Sequence, residues 1–226
     1  MISLLEVKHF SVDMALVDYI PVLFFAIGAI ILLCDLYNKM GKGAFALFSA
    51  GVIDVTMAGA LKATYKLLYA LGVCDFTKLD AMFFPVQSIG FLLAGLGVVA
   101  MLCSGKKSAK LNSLALPVMV VAMTAVAPEV FTGTFVFVGL MVAGLGLLDV
   151  ALCVLAKKLG KPGLIALYAF SFVCCLGMGY LSSKDFAEAS MNWIAECVNV
   201  VGQGTFLAGT IALHKNGLAE LSLKKD

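Results

Sequence analysis

Residues 190–215, SMNWIAECVNVVGQGTFLAGTIALHK, form an apolar run that is interrupted by polar side chains at regular intervals. Asn192, Glu196, Asn199 and Gln203 are spaced by 4, 3 and 4 residues, which places them on one face of a helix. A run of this length predicts a transmembrane helix. An ionisable group inside a bilayer is costly, so it normally faces protein or a water-filled cavity. The stripe therefore predicts a polar interior between several membrane helices.

The composition indicates an all-α polytopic integral membrane protein. The 226 residues are 62% hydrophobic and only 13% charged, with a mean hydropathy of +1.04. This is outside the range of soluble domains. The formal net charge is only +2 and the lysines are spread through the loops, so we expect no nucleic-acid partner. The seven cysteines lack metal-ligand spacing, so they are interpreted as packing residues, and we expect no metal and no cofactor.

Seven apolar runs are long enough, or nearly so, to cross a hydrocarbon core as helices. They lie at 19–37, 44–71, 82–103, 112–127, 131–156, 163–182 and 191–214. The fourth is short and contains Pro117. Residues 1–18 alternate apolar and charged groups and are interpreted as an interfacial segment, with a short helix. Residues 19–214 are then the seven-helix membrane domain, and residues 215–226 are a tail.

The distribution of lysine predicts the orientation. The connections after the odd-numbered segments read NKMGKG, SGKKSAK, AKKLGKPG and HKNGLAELSLKKD, whereas the connections before them are richer in acid. Lysine-rich loops remain on the cytoplasmic side. We therefore expect the N-terminus outside, the C-terminus in the cytoplasm, and a multi-pass location in the plasma membrane.

A Gly-x-x-x-Ala-Gly pattern occurs in three of the odd segments, at 90–95, 139–144 and 204–209. Small residues at this spacing let helix backbones approach closely, either within one chain or between copies of a homo-oligomer. The pattern indicates either a duplicated helical hairpin or the common composition of membrane helices. The order of the segments is similar to that of SWEET transporters and to the hairpin repeats of urea channels. Their proline pattern and Trp-rich pore are absent, so the sequence identifies no family.

The second and third segments also carry polar residues in apolar surroundings. Asp54 is predicted near the middle of the bilayer, about 15 Å from the inner end of its helix. Lys62 and Lys66 lie one turn apart toward the outer end, with Tyr65 between them. Lys66 is expected to extend its ammonium to the interface, whereas Lys62 has the same depth as Glu196 and is a candidate partner for it. Gln87 in the third segment either joins this site or stabilises the helix at Pro85.

These residues predict a membrane transporter or channel with an outward-facing polar cavity for a small polar or charged solute. The candidate solute- or ion-binding residues are Asp54, Lys62, Tyr65, Gln87, Glu196, Asn199 and Gln203. Asp35 and Asp149 lie near inner helix ends beside lysines and are expected to be solvated. The alternative is a receptor, sensor or accessory subunit that uses the same pocket for a ligand or lipid. No catalytic signature is present, so we do not expect an enzyme.

Overall fold

The long apolar runs of the sequence form long helices in the computed structural model, which describes residues 11–104, 134–181 and 189–223. The helices are α1 (Val12–Val17), α2 (Tyr19–Leu36), α3 (Lys42–Ala70), α4 (Thr77–Ser104), α5 (Thr134–Lys158), α6 (Ile165–Leu181) and α7 (Ala189–Lys215), with a 3₁₀ turn at Pro162–Leu164. These residues include no β-strand, so the predicted all-α class is confirmed. The fourth predicted segment, 112–127, lies outside the described residues.

Five stretches are long and apolar enough to cross a membrane, as expected for a multi-pass membrane protein. They are Val12–Leu36, Lys42–Ala70, Thr77–Cys103, Val136–Lys158 and Pro162–Leu181. Helix α7 has 27 residues, enough for about 40 Å, but its polar stripe makes it less apolar. Large apolar side chains such as Ile30, Ile53 and Val173 point outward and are more than half exposed. This surface suits contact with lipid tails.

The six long helices of the described residues form a closed ring. Each of α2 to α7 packs against the next in the chain, and α7 packs against α2. Contacts between charged or titratable side chains at both ends show that α2 and α7 run parallel. Asp18 and Glu196 both contact Lys66 at one end, and Asp35 contacts His214 at the other. We name these the Glu196 end and the His214 end. They are about 25 Å apart by helix rise, close to the thickness of a hydrocarbon core.

Glycines bring α3, α4 and α5 into close contact, as the small-residue pattern predicts. A Cβ at Gly51 would lie 2.4 Å from the backbone nitrogen of Ala94, and one at Gly144 would lie 2.3 Å from that of Leu92. Gly95 contacts α5 four residues further along, at Leu148, so α4 and α5 run parallel. The end of α4 and the start of α5 therefore lie at opposite ends of the ring. These glycines therefore pack against neighbouring helices of the same chain.

Helix α1 begins at a side-chain cap and turns the chain into α2. The Ser11 hydroxyl accepts a hydrogen bond from the Met14 backbone N–H at 3.2 Å, which is a standard helix N-cap. Met14 and Ala15 are buried, and α1 packs against α3 and α2. The helix predicted between residues 1 and 18 is thus present over Val12–Val17, and its apolar face contacts protein.

At the His214 end, the loop after α2 and the chain after α7 pack together. Lys39 donates hydrogen bonds to the carbonyl oxygens of Asp35 (3.1 Å) and Ala219. Burial lowers the pKa of Lys39 from its ordinary value, against the opposing effect of the nearby Asp35 and Glu220 carboxylates. Leu218 is fully buried, so the start of the predicted tail belongs to the packed structure.

Candidate functional site

A cavity of about 460 Å³ lies inside the ring, and all six long helices contribute to its wall. Its size is within the range of small-molecule sites in proteins. Five of the predicted site residues line it: Lys62, Gln87, Glu196, Asn199 and Gln203. The helical spacing that groups the polar residues of α7 thus identified one side of the cavity.

Three charged side chains meet at the Glu196 end of the cavity. The Lys66 ammonium lies 2.5 Å from Asp18 Oδ2 and 3.2 Å from Glu196 Oε1. All three residues are buried, with exposed fractions of 4%, 6% and 8% for Lys66, Asp18 and Glu196. Because buried charges are stable only when they are paired, this triad connects α2, α3 and α7 in one arrangement. We refer to Asp18, Lys66 and Glu196 as the ionic triad.

The direct partner of Glu196 is therefore Lys66, and the predicted direct ion pair with Lys62 is wrong. The expectation that Lys66 extends to the interface is wrong for the same reason. The two lysines are one helical turn apart, and the turn that carries Lys66 faces both Asp18 and Glu196. A water-mediated contact between Lys62 and Glu196 stays a prediction, since both residues line the cavity.

Lys62 lies against aromatic rings of α4. Its ammonium is 3.8 Å from the centroid of the Phe83 ring and 5.4 Å from that of Phe84. This is cation–π geometry, which stabilises a cation without neutralising its charge. Of the two cavity lysines, Lys62 is thus the one whose ammonium contacts aromatic rings, and the Asp80 carboxylate of the cavity wall lies within electrostatic range of it.

Several oxygen atoms around the cavity have no hydrogen-bond donor. Within the described residues, Asp18 Oδ1, Glu196 Oε2 and Gln203 Oε1 are buried and unpaired. Buried polar atoms are almost always hydrogen-bonded in folded proteins, to protein, water or a ligand. All three atoms belong to residues that line the cavity, so the cavity can accept a solute that supplies N–H or O–H donors.

Two predicted site residues do not line the cavity. Asp54 lies at the contact between α3 and α4, where a Cβ at Gly90 would be 2.9 Å from its Cβ, and its Oδ2 is buried without a partner. Tyr65 is buried and donates a hydrogen bond to Asp75 Oδ1 at 3.2 Å. The predicted role of these two residues in solute binding stays a prediction, and the cavity geometry does not include them.

An aromatic layer closes the ring on the side of the cavity that faces the His214 end. Phe25 stacks on Phe206 with ring centroids 5.6 Å apart and meets Phe91 edge-on at 5.5 Å. Tyr168 contacts Phe206 at 6.4 Å. These rings come from α2, α4, α6 and α7 and are all buried. The layer separates the cavity from a second group of polar residues.

Two acids, Asp35 and Asp149, are buried beyond the aromatic layer. The prediction that they are solvated is therefore wrong. Asp35 is 5% exposed, and both of its carboxylate oxygens lie 3.0 Å from the Nδ1 of His214. Asp149 is 2% exposed. Sequence position indicates the depth of a residue along a helix but not the direction in which it faces. Both acids face neighbouring helices rather than solvent.

Asp18 is the one member of the ionic triad that sequence reasoning did not identify. It lies immediately before α2, at the end of the predicted interfacial segment 1–18. The signal that could have identified it is its position directly before a long apolar run, which places a carboxylate at the end of a membrane helix.

Comparison with protein-family models, with curated proteins and with solved structures found no match for this chain.

Proposed function

We propose that the protein is a membrane transporter or channel that binds a small polar solute in the cavity of the helix ring. The observation that carries this proposal is the position of the cavity at the centre of the ring, with a wall formed by all six long helices. A central site between membrane helices is where a solute can be bound during passage across a bilayer. The orientation in the plasma membrane, with the Glu196 end outside, is part of the proposal and follows from the lysine distribution.

The polar groups of the cavity favour a solute with an ammonium group. Asp18 Oδ1, Glu196 Oε2 and Gln203 Oε1 are acceptors without donors among the described residues. An ammonium supplies three N–H donors and a positive charge next to the two acidic side chains that contact Lys66. Such a group would satisfy atoms that the protein leaves unpaired.

The part of the wall formed by Lys62 and the rings of α4 favours a carboxylate and an apolar group on the same solute. Lys62 offers a positive charge next to Phe83 and Phe84, and Phe25 and Phe91 also line the cavity. A mostly apolar wall with a few convergent polar groups is typical of sites for small organic molecules. The combination supports a small zwitterion with an apolar side group, the chemical class of an amino acid.

Binding and transport are tested separately with the purified protein. Thermal stability in detergent is measured with a panel of zwitterionic amino acids, the matching amines and the matching carboxylic acids, because a ligand that binds the folded state raises its melting temperature. Uptake of the solutes that stabilise the protein is then measured in proteoliposomes. Glu196→Gln and Lys62→Gln should reduce both signals, whereas Glu220→Gln and Lys42→Gln, at exposed positions, should not. Absence of stabilisation by every class would contradict the proposal.

A sensor or accessory subunit is the second candidate, and the aromatic layer is the observation that favours it. Phe25, Phe91 and Phe206 are in contact and close the cavity toward the His214 end. A sensor needs only a closed pocket on one side, whereas a transporter must open this layer. Stabilisation by a zwitterion without any uptake in proteoliposomes would favour the sensor.

A further inference from the structure

Asp149 is a buried acid that the proposed cavity does not use. It lies on α5, is 2% exposed, and neither of its carboxylate oxygens has a hydrogen-bond partner within the described residues. A carboxylate in this position would be a charge without donors in a low-dielectric interior, which is strongly unfavourable. The group must therefore be neutralised.

Two hydroxyl groups on neighbouring helices are also fully buried, those of Tyr168 on α6 and Thr210 on α7. The Tyr168 hydroxyl lies within hydrogen-bonding range of the Thr210 hydroxyl and within electrostatic range of Asp149. Asp149 thus keeps two buried oxygens without a hydrogen bond among the described residues, which is rare unless a ligand belongs there.

No protein cation faces Asp149 from the helices packed around it. In the described sequence, residues 81–103 of α4, 162–181 of the 3₁₀ turn and α6, and 197–213 of α7 contain no lysine, arginine or histidine, and Asp149 is the only charged residue of α5 before Lys157. The titratable groups near it are Cys153 on its own helix and Tyr168 and Cys175 on α6. All three are uncharged in their protonated forms. The described residues therefore supply no cation to Asp149, and we look to solution for one.

We propose that Asp149, Tyr168 and Thr210 form a buried proton-binding site. The Asp149 carboxylate takes one proton from water and holds it as a neutral carboxyl group. A proton fits this site better than a metal cation. Sodium requires several more oxygen ligands than these side chains provide, and the carbonyls of the surrounding helices are engaged in helical hydrogen bonds.

The proton site lies directly behind the wall of the cavity. Leu145, one turn before Asp149 on α5, lines the cavity, and so does Cys175, which lies within electrostatic range of Asp149. Gain or loss of the proton therefore changes the charge next to the bound solute. That this proton moves together with the solute rests on the proposed function, whereas the proton site itself does not.

Infrared difference spectroscopy of the purified protein in lipid tests the site without any solute. A protonated carboxyl group absorbs separately from a carboxylate. At neutral pH the wild type should show a protonated-carboxyl band that is lost in Asp149→Asn and kept in Asp13→Asn, an exposed acid. Tyr168→Phe retains the acid and should shift the band, because a neighbouring hydroxyl is removed, so the test holds even if Asp149→Asn folds poorly.

Identical spectra of the wild type and Asp149→Asn in this region would overturn the proposal. A band that disappears on addition of sodium or potassium at constant pH would overturn it as well, since the site would then bind a metal cation. Neither result would affect the proposed solute cavity, because the measurement contains no solute.

Discussion

The Lys66 ammonium lies 3.2 Å from Glu196 Oε1, and this contact joins α3 to α7 across one end of the helix ring. The same ammonium contacts Asp18 at the start of α2. One cation thus positions three helices around the candidate cavity. At the other end, Asp35 and His214 join α2 to α7, so the two ends of this helix pair are fixed independently.

The first prediction concerns the stability of the ionic triad. Lys66→Met leaves two buried carboxylates without their cation and should destabilise the protein by roughly 3–5 kcal/mol, as for other broken buried pairs. Lys66→Met combined with Glu196→Gln and Asp18→Asn should be less harmful than the sum of the single changes. Thermal denaturation in detergent measures these effects. Lys62→Met is the matched control and should have a smaller effect, since its ammonium contacts rings. Additive losses would contradict the triad.

Sequence reasoning found the cavity because polar side chains on α7 recur with helical spacing, and spacing is readable in one chain. It did not identify which lysine forms an ion pair with Glu196. Lys62 and Lys66 differ by one turn, about 6 Å along the helix, and the predicted helix ends are not defined more closely than that. The choice depends on Asp18, which α1 and α2 bring to the same place. Contacts between distant segments of a chain are not encoded in local periodicity.

The burial of Asp149 illustrates a second limit of sequence reasoning. Its depth near one end of α5 is readable from the apolar run, and lysines follow shortly after it. Whether it faces lipid, solvent or protein depends on the order of helices in the ring. The ring order follows from the packing of α5 against α4 and α6. Gly144 lets the backbone of α4 approach closely, and Gly146 leaves room for a side chain of α6.

The second prediction compares two glycines of α5. Gly144→Ala should destabilise the protein by about 1–3 kcal/mol, because the added Cβ would lie 2.3 Å from the Leu92 backbone nitrogen and α4 would have to move. Gly139→Ala adds the same methyl group where no atom lies within 4 Å, and it should be neutral or stabilising by up to about 1 kcal/mol. Thermal denaturation of both variants measures the difference. Equal effects would contradict the close contact of α4 and α5.

The third prediction concerns orientation. Cys74 follows α3 at the Glu196 end, and Asn38 follows α2 at the His214 end. In cells, a membrane-impermeant thiol reagent should modify a variant that retains only Cys74. It should not modify a cysteine-free variant that carries Asn38→Cys, because the lysine-rich loops are expected in the cytoplasm. Labelling after cell disruption is the control that both thiols are reactive. The reverse labelling pattern would invert the proposed orientation.

The fourth prediction distinguishes the two ends of the proposed solute. Lys62→Gln removes the charge that faces the carboxylate, so it should weaken binding of the zwitterion by about 10- to 100-fold, the effect of a charge-assisted hydrogen bond of roughly 1.5–3 kcal/mol. Binding of the matching amine, which lacks the carboxylate, should change little. Calorimetric titration of both ligands against the wild type and Lys62→Gln provides the comparison.

The control for this prediction is Lys42→Gln, which removes an exposed lysine from the same helix and should leave both affinities unchanged. It corrects for the general effect of lost positive charge on a charged solute. An equal loss of affinity for zwitterion and amine in Lys62→Gln would show that Lys62 shapes the cavity rather than binding a carboxylate. The solute would then be a simple amine, held by the unpaired oxygens of Asp18 and Glu196.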